Sequence, residues 1–84
     1  MSDEILQHLL ENLDKLQTTT LGMQRIRNNL SLDVPDIVIW CRERILCASD
    51  IICKGKNWYI YSGIAVITVN TSSYTIITAH KNKL

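Results

Sequence analysis

The change of hydrophobic spacing at Asp50 constrains the fold more than any other feature of the sequence. Before Asp50, apolar residues recur every three to four positions, as on one face of an α-helix. After it come short runs rich in β-branched and aromatic residues, separated by turn residues. Because no helical pattern lies between these runs, neighbouring strands are expected to be antiparallel. The sequence therefore predicts an α+β fold, with two to three N-terminal helices packed on a C-terminal four-stranded antiparallel meander sheet.

Helices are expected over about residues 3–48. The first covers 3–16, and its apolar stripe consists of Ile5, Leu6, Leu9, Leu10, Leu13 and Leu16. A short second helix starts near Leu21 and turns Ile26 and Leu30 inward. Asp33-Val34-Pro35 predicts the start of the third, with a cap and a proline in the first turn. Its predicted inward residues are Val34, Ile37, Val38, Cys41, Ile45 and Ala48.

The β-meander is expected over about residues 51–80, with strands at 51–53, 58–62, 64–69 and 74–79. We expect the last hairpin to pair Val69 with Tyr74, which leaves both of its faces almost equally apolar. Helices can cover only one of these faces. The other face is therefore predicted to be buried in a homodimer, or to hold a ligand.

Composition and charge limit the class of protein. With 84 residues, 46% of them hydrophobic and 20% charged, the chain fits a single folded domain, 1–84. A net charge of +1 supplies no strong overall attraction to nucleic acid or to an anionic membrane. Residues 1–40 carry six acids and three bases, whereas 41–84 carry two acids and six bases. This asymmetry indicates either a basic functional face or complementary charges within or between protomers.

Three cysteines, spaced six residues apart, form neither a CxxC pair nor a common zinc pattern. Since the N-terminal residues lack the features of a signal peptide, we expect a cytoplasmic protein. The longest mainly apolar stretch, 58–69, is shorter than the roughly 20 residues that span a bilayer. We predict no metal, no cofactor and no membrane partner.

Two cations on a tight turn beside aromatic rings form the first candidate site. Such a turn can hold a phosphate backbone while a ring stacks on a base. The segment runs Lys54-Gly55-Lys56-Asn57-Trp58-Tyr59, and Arg27 and Lys81 are predicted to add further nucleic-acid contacts. The alternative is an ordinary polar hairpin turn with Trp58 in the core.

His80 is the candidate for proton transfer, because histidine titrates near neutrality. With a cation from Arg25 or Arg27, or from Lys54 or Lys56, it would supply the groups needed for metal-independent RNA cleavage, and Arg25 and Tyr59 are the other predicted catalytic residues. The sequence contains none of the common nucleotide-binding, zinc-protease or serine-hydrolase motifs. The alternative for His80 is a solvated surface side chain.

Four separated segments of the sequence carry a family resemblance. They are Leu21-Gly22 with Arg25-Ile26-Arg27-Asn28-Asn29-Leu30, Gly55-Lys56-Asn57-Trp58-Tyr59-Ile60, Ile67-Thr68-Val69-Asn70 and Ile76-Ile77-Thr78-Ala79-His80-Lys81. Together they resemble the bacterial family called domain of unknown function 3781, from about Leu10 to Lys81. The order of helices followed by a meander is similar, more loosely, to small ribonuclease toxins of the RelE, barnase and colicin type.

Two functions of different class follow from the sequence. The first is RNA binding or metal-independent RNA cleavage by a small bacterial or phage-borne protein. The second is a non-catalytic interaction module, such as an inhibitor, an antidote or a phage anti-defence protein. This module would bind a protein partner through the apolar sheet face and Trp40 or Trp58.

Overall fold

The computed structural model describes residues 2–82, with side chains from residue 7 onward. Three helices precede four strands, in the order that the sequence predicts. The helices are α1 (Ser2–Glu11), α2 (Thr20–Leu30) and α3 (Ile37–Leu46), and a 3-10 turn (Leu13–Lys15) follows α1. The strands are β1 (Asp50–Lys54), β2 (Asn57–Ser62), β3 (Ala65–Asn70) and β4 (Ile76–Lys81). The predicted α+β fold class is confirmed.

The start of α3 differs from the prediction. Asp36, not Asp33, is the N-cap, and its carboxylate accepts a hydrogen bond from the Ile39 N–H at 3.0 Å. Pro35 therefore precedes the helix, and the prediction that it lies in the first turn is wrong. A residue before proline avoids helical backbone angles, and the Val34 carbonyl instead accepts a 2.6 Å hydrogen bond from Arg27.

The sheet is a meander in the order β1-β2-β3-β4, with every neighbouring pair antiparallel. Two-residue turns join the first three strands, and each has glycine at its first position. Gly55 has φ +64° and Gly63 has φ +58°, the left-handed region that a non-glycine residue adopts only at a cost. These tight turns fix the register of the three strands.

The last hairpin has a different register from the predicted one. Val69 pairs with Ile76 and Thr68 with Thr78, so that Ile77 forms a bulge. The turn is longer than expected because the Asn70 side chain accepts hydrogen bonds from two backbone N–H groups, at 2.9 and 3.0 Å. As a result Tyr74 lies in the turn, with φ +57°. The predicted pairing of Val69 with Tyr74 is wrong, and Ala79 lies opposite Ile67.

The core lies between the helices and one face of the sheet. From β2, Trp58, Ile60 and Ser62 are buried on this face, and Ile67, Val69 and Ala79 join them from β3 and β4. The helices contribute the inward residues that their spacing predicted, namely Leu9, Leu13, Ile26, Leu30, Ile37, Cys41 and Ile45. Leu10, predicted inward, is 41% exposed, and Ile5 and Leu6 lie outside the described side chains.

The outer edge of β4 is covered by the N-terminal half of the chain. Gln17 accepts a hydrogen bond from the Ile76 N–H at 2.7 Å and donates its own N–H to the Tyr74 carbonyl at 3.1 Å. The Thr18 hydroxyl donates to the Ile76 carbonyl at 3.0 Å, and the Asn29 amide donates to the Ala79 carbonyl at 3.2 Å. These bonds pair backbone groups that an edge strand would otherwise expose.

Replacement of Gly22 by alanine is expected to destabilise the protein although alanine favours helices. A Cβ at Gly22 would overlap the Thr18 hydroxyl, which binds the β4 edge, and would lie 3.2 Å from the Thr19 hydroxyl. The overlap costs roughly 1–3 kcal/mol and helix propensity returns about 1 kcal/mol. Displacement of Thr18 also loses its hydrogen bond to the Ile76 carbonyl, worth about 0.5–1.5 kcal/mol, so we expect urea denaturation to show a net loss of about 1–3 kcal/mol. The control Gln24→Ala, at an exposed position of α2, should stay within about 0.5 kcal/mol of wild type. An equally stable Gly22→Ala protein would contradict the overlap.

Cys41 makes stability depend on pH in the alkaline range. Burial raises the pKa of its thiol from 9.0 to about 12. Above pH 9 the unfolded chain loses this proton while the folded protein keeps it. The contribution of the buried Cys41 thiol to the free energy of unfolding is therefore fully present below about pH 9. It falls by about 1.4 kcal/mol per pH unit as the pH rises towards 12. The difference in unfolding free energy between wild type and Cys41→Ala should shrink at this slope, and a constant difference would contradict the prediction.

Candidate functional site

The sheet face opposite the helices is the candidate site. The strand registers place on it Asp50, Ile52, Lys54, Asn57, Tyr59, Tyr61, Val66, Thr68, Thr78 and His80. Val66 and Thr68 are each only 6% exposed, because they occupy the centre of the face beneath larger neighbours. The tyrosines of β2 are half-buried. The face is thus a packed surface with an aromatic centre and polar residues at its borders.

A groove of about 430 Å³ lies on this face above β1 and β2. Ile52, Lys54, Tyr59 and Tyr61 line it. Ile52 is directly opposite Tyr59 in the register, and Tyr61 follows two residues later on the same face. Neither tyrosine hydroxyl hydrogen-bonds to another residue within 7–82. The groove combines two aromatic rings with one ammonium group.

Among the residues predicted to bind nucleic acid, Lys54 and Lys56 have the placement that the sequence suggested. Both are exposed. Lys54 lies in the groove, and Lys56 lies in the turn that follows it. Two positive charges therefore border the tyrosines at one end of the groove.

Trp58 and Lys81 belong to the opposite side of the sheet. Trp58 is 2% exposed and stacks on Tyr74, with ring centroids 5.6 Å apart. A base cannot stack on this ring in the folded protein, so Trp58 takes the core position that was the alternative in the sequence. Lys81 is exposed and pairs with Ala65, on the side of the helices.

His80 lies on the open face but at a distance from the groove. It is opposite Val66, which is in turn opposite Tyr61. Two strand spacings amount to about 10 Å. The His80 side chain is exposed, and its Nδ1 lies 3.0 Å from the Lys81 carbonyl oxygen. His80 and Tyr59, both predicted to be catalytic, are therefore not adjacent.

The two arginines of α2 have different surroundings. Arg25 is exposed and precedes Asn29 by one helical turn, so both side chains project towards the β4 edge. Arg25 therefore lies on the side of α2 that borders β4, one helical turn before the Asn29 contact with Ala79. Arg27 points elsewhere and donates its 2.6 Å hydrogen bond to the Val34 carbonyl. This contact ties α2 to the loop before α3, which is a structural role.

Sequence reasoning missed Tyr61 and Ile52 as site residues. The signal was present, because Tyr59 and Tyr61 are two residues apart on a predicted strand and so share a face. What the sequence did not provide was which face the helices cover. The burial of Trp58, Ile60 and Ser62 decides this in favour of an open tyrosine face.

Fold and site together define a two-layer α+β protein, and within residues 2–82 no helix covers the second face of its sheet. The family model described as a protein of unknown function (DUF3781) matches residues 10–80. The chain therefore belongs to this family. No curated protein and no solved structure matches the chain.

Two further observations concern the described residues. No helix among them is long and apolar enough to cross a membrane. No group of three or more histidine, cysteine, aspartate or glutamate side chains among them is arranged to hold a metal ion.

Proposed function

We propose that the protein binds single-stranded RNA on the open face of its sheet. The observation that carries this proposal is the pair of half-buried tyrosines, Tyr59 and Tyr61, side by side in a groove that no helix covers. Single-stranded nucleic acids bind to such platforms because every base offers an aromatic face for stacking. The tyrosine hydroxyl groups can also hydrogen-bond to base edges.

The positions of the cations support a path for the RNA backbone. Lys54 and Lys56 lie at one border of the face, and Arg25 and His80 lie at the border formed by β4. Phosphate groups at both borders would leave bases directed to the tyrosines between them. Asp50 is the acidic residue on this face, and it lies at the end of β1 away from Lys54.

The geometry favours binding over cleavage. RNA cleavage through the 2′-hydroxyl requires a proton-transfer group within hydrogen-bond reach of the reacting atoms. His80 and the tyrosines are two strand spacings apart, and Arg25 lies on a helix beside the sheet edge. We therefore expect RNA to remain intact after incubation with the protein in a metal chelator. RNA fragments that disappear with His80→Ala would instead assign cleavage to this face.

Replacing both turn lysines tests the electrostatic part of the proposal. For single strands, the slope of log K against log salt is about −0.7 per phosphate contact. We expect Lys54→Ala/Lys56→Ala to make the slope less negative by about 1.4, measured by fluorescence anisotropy with a labelled oligoribonucleotide at several salt concentrations.

Lys15 provides the matched control, because its ammonium lies 5.9 Å from the ring of Tyr74, on the helix side. Lys15→Ala should leave the slope unchanged. A slope change of about 0.7 in Lys15→Ala, half that of the double variant, would show that the protein attracts RNA by total charge alone. No binding by wild type would refute the proposal and turn attention to a protein partner for the same face.

A further inference from the structure

The two edge strands of the sheet differ in whether other parts of the chain hydrogen-bond to their outer backbone groups. The outer edge of β4 is covered by Gln17, Thr18 and Asn29. The outer edge of β1 has no such cover among residues 7–82, because no backbone or side-chain group there hydrogen-bonds to the β1 backbone from outside its own hairpin. All of β1 is exposed except for the half-buried Ile51. An uncovered edge is a template for pairing with another strand.

The directions of the free backbone groups follow from the hairpin. A two-residue turn closes on the Lys54–Asn57 pair, which is then a hydrogen-bonded pair of the ladder. Alternation along β1 directs the backbone groups of Lys54, Ile52 and Asp50 towards β2. Those of Ile51 and Cys53 point to the open edge. These two residues offer two N–H and two C=O groups to an incoming strand.

The charges on β1 are arranged symmetrically about Ile52. Asp50 and Lys54 lie two residues on either side of it and share the groove face with it. We propose that β1 pairs antiparallel with β1 of a second copy of this chain, with Ile52 on the two-fold axis. Ile51 then exchanges both backbone hydrogen bonds with the partner's Cys53, and the symmetric pair does the same. The result is one continuous sheet of eight strands.

Charge complementarity selects this partner and this register. A charge on an edge strand normally discourages pairing. Here each copy presents the opposite charge at the matching position, so that Asp50 meets the partner's Lys54 on both sides of the axis. These pairs occupy positions without backbone hydrogen bonds, where facing side chains are closest. A shift by two residues would place Ile52 opposite a charge and separate both ion pairs.

The two paired β1 strands would also bring the grooves of the two copies next to each other. Ile52 is 44% exposed in the single chain. In the dimer it would contact the partner's Ile52, and each of the two residues would still line the groove of its own chain. The open faces of the two copies would form one surface, with their tyrosines left accessible. The inference goes beyond the proposed function and holds whether or not RNA binds. It also differs from a face-to-face dimer, which would bury Tyr59 and Tyr61.

Charge-reversal variants test the register directly. Asp50→Lys places two lysines against each other on both sides of the axis, and Lys54→Asp does the same with aspartates. In sedimentation equilibrium we expect the wild type to dimerise and each variant to dissociate at least about 10-fold more readily, since several like-charge and lost opposite-charge contacts add. An equimolar mixture of the two variants restores both ion pairs and should form the heterodimer.

This rescue guards against misfolding, because two unfolded variants would not reassociate. A wild type that stays monomeric at its highest soluble concentration would overturn the proposal. So would a dimer that tolerates both single variants, since it would use another surface. Failure of the mixture to associate while both variants are folded by circular dichroism would likewise overturn it.

A disulfide provides an independent measurement. Facing residues at such positions have Cα atoms about 4.5 Å apart, within the range that a disulfide bridges. We expect Ile52→Cys, in a Cys47→Ser/Cys53→Ser background, to form a covalent dimer under mild oxidation. The exposed native cysteines at 47 and 53 are removed because they would react independently. Absence of the covalent dimer in a folded variant would contradict the two-fold axis at Ile52.

Discussion

Replacement of Trp58 by alanine is expected to lower the free energy of unfolding by about 3–5 kcal/mol. Trp58 is among the largest fully buried side chains, at 2% exposure, and its ring stacks on Tyr74. The substitution removes this stack and leaves a cavity between the helices and the sheet. Domains of this size are stable by about 5–15 kcal/mol, so the variant should be largely unfolded in moderate urea. Circular dichroism of the backbone measures the loss without relying on the missing fluorophore.

Trp58→Phe is the matched control. It keeps an aromatic ring over Tyr74 and removes the Nε1 group, which is buried without a hydrogen-bond partner among the described residues. An unpaired buried N–H costs about 1–3 kcal/mol, so its removal offsets part of the lost volume. We expect the phenylalanine variant to be clearly more stable than the alanine variant. A loss below about 1 kcal/mol for Trp58→Ala would show that the ring does not hold the core together.

The second large effect concerns RNA affinity. Stacking of a base on an aromatic side chain is worth about 1–3 kcal/mol by alanine substitution. If Tyr59 and Tyr61 each stack one base, Tyr59→Ala/Tyr61→Ala should weaken binding at least about 30-fold. Fluorescence anisotropy at constant low salt measures this change. The salt slope should remain as in the wild type, because no cation is removed.

The conservative variant separates stacking from other roles of the tyrosines. Tyr59→Phe/Tyr61→Phe keeps both rings and removes only their hydroxyl groups, so its affinity should lie much closer to wild type. Equal losses in the two double variants would mean that the hydroxyl groups, not the rings, bind the ligand. Retention of affinity by the alanine variant would remove this face as the binding site. Thermal melts establish that the variants are folded.

The sequence predicted the fold well because its local signals agree with its tertiary contacts. The apolar stripes of the helices placed Ile26, Ile37 and Ile45 in the core, and Gly55 lies in the polar turn predicted between the first two strands. Errors arose where side chains compete for backbone groups. Asp36 caps α3 in place of Asp33, and Asn70 widens the last turn, so that the register of β4 changes by the bulge at Ile77.

The candidate site was only partly predictable. Lys54, Lys56 and Tyr59 were identified from a short segment whose strand and turn lie close together in the sequence. Trp58 and Tyr59 could not be told apart without knowing which face the helices cover. Whether His80 approaches the tyrosines depends on pairing between strands that are distant in the chain. Such pairing is set by the whole sheet and not by local residue patterns.

The cover on the β4 edge has a consequence for folding kinetics. The hydrogen bond from Thr18 to Ile76 joins residues 58 positions apart, whereas two-residue turns connect β1, β2 and β3. Closing a long loop costs more entropy and is slower than closing a short one. The first two hairpins are therefore expected to form before the N-terminal segment docks. During this interval the nascent sheet has two open edges, and the docking of Gln17 and Thr18 is the step that covers the β4 edge and leaves only the β1 edge exposed to aggregation.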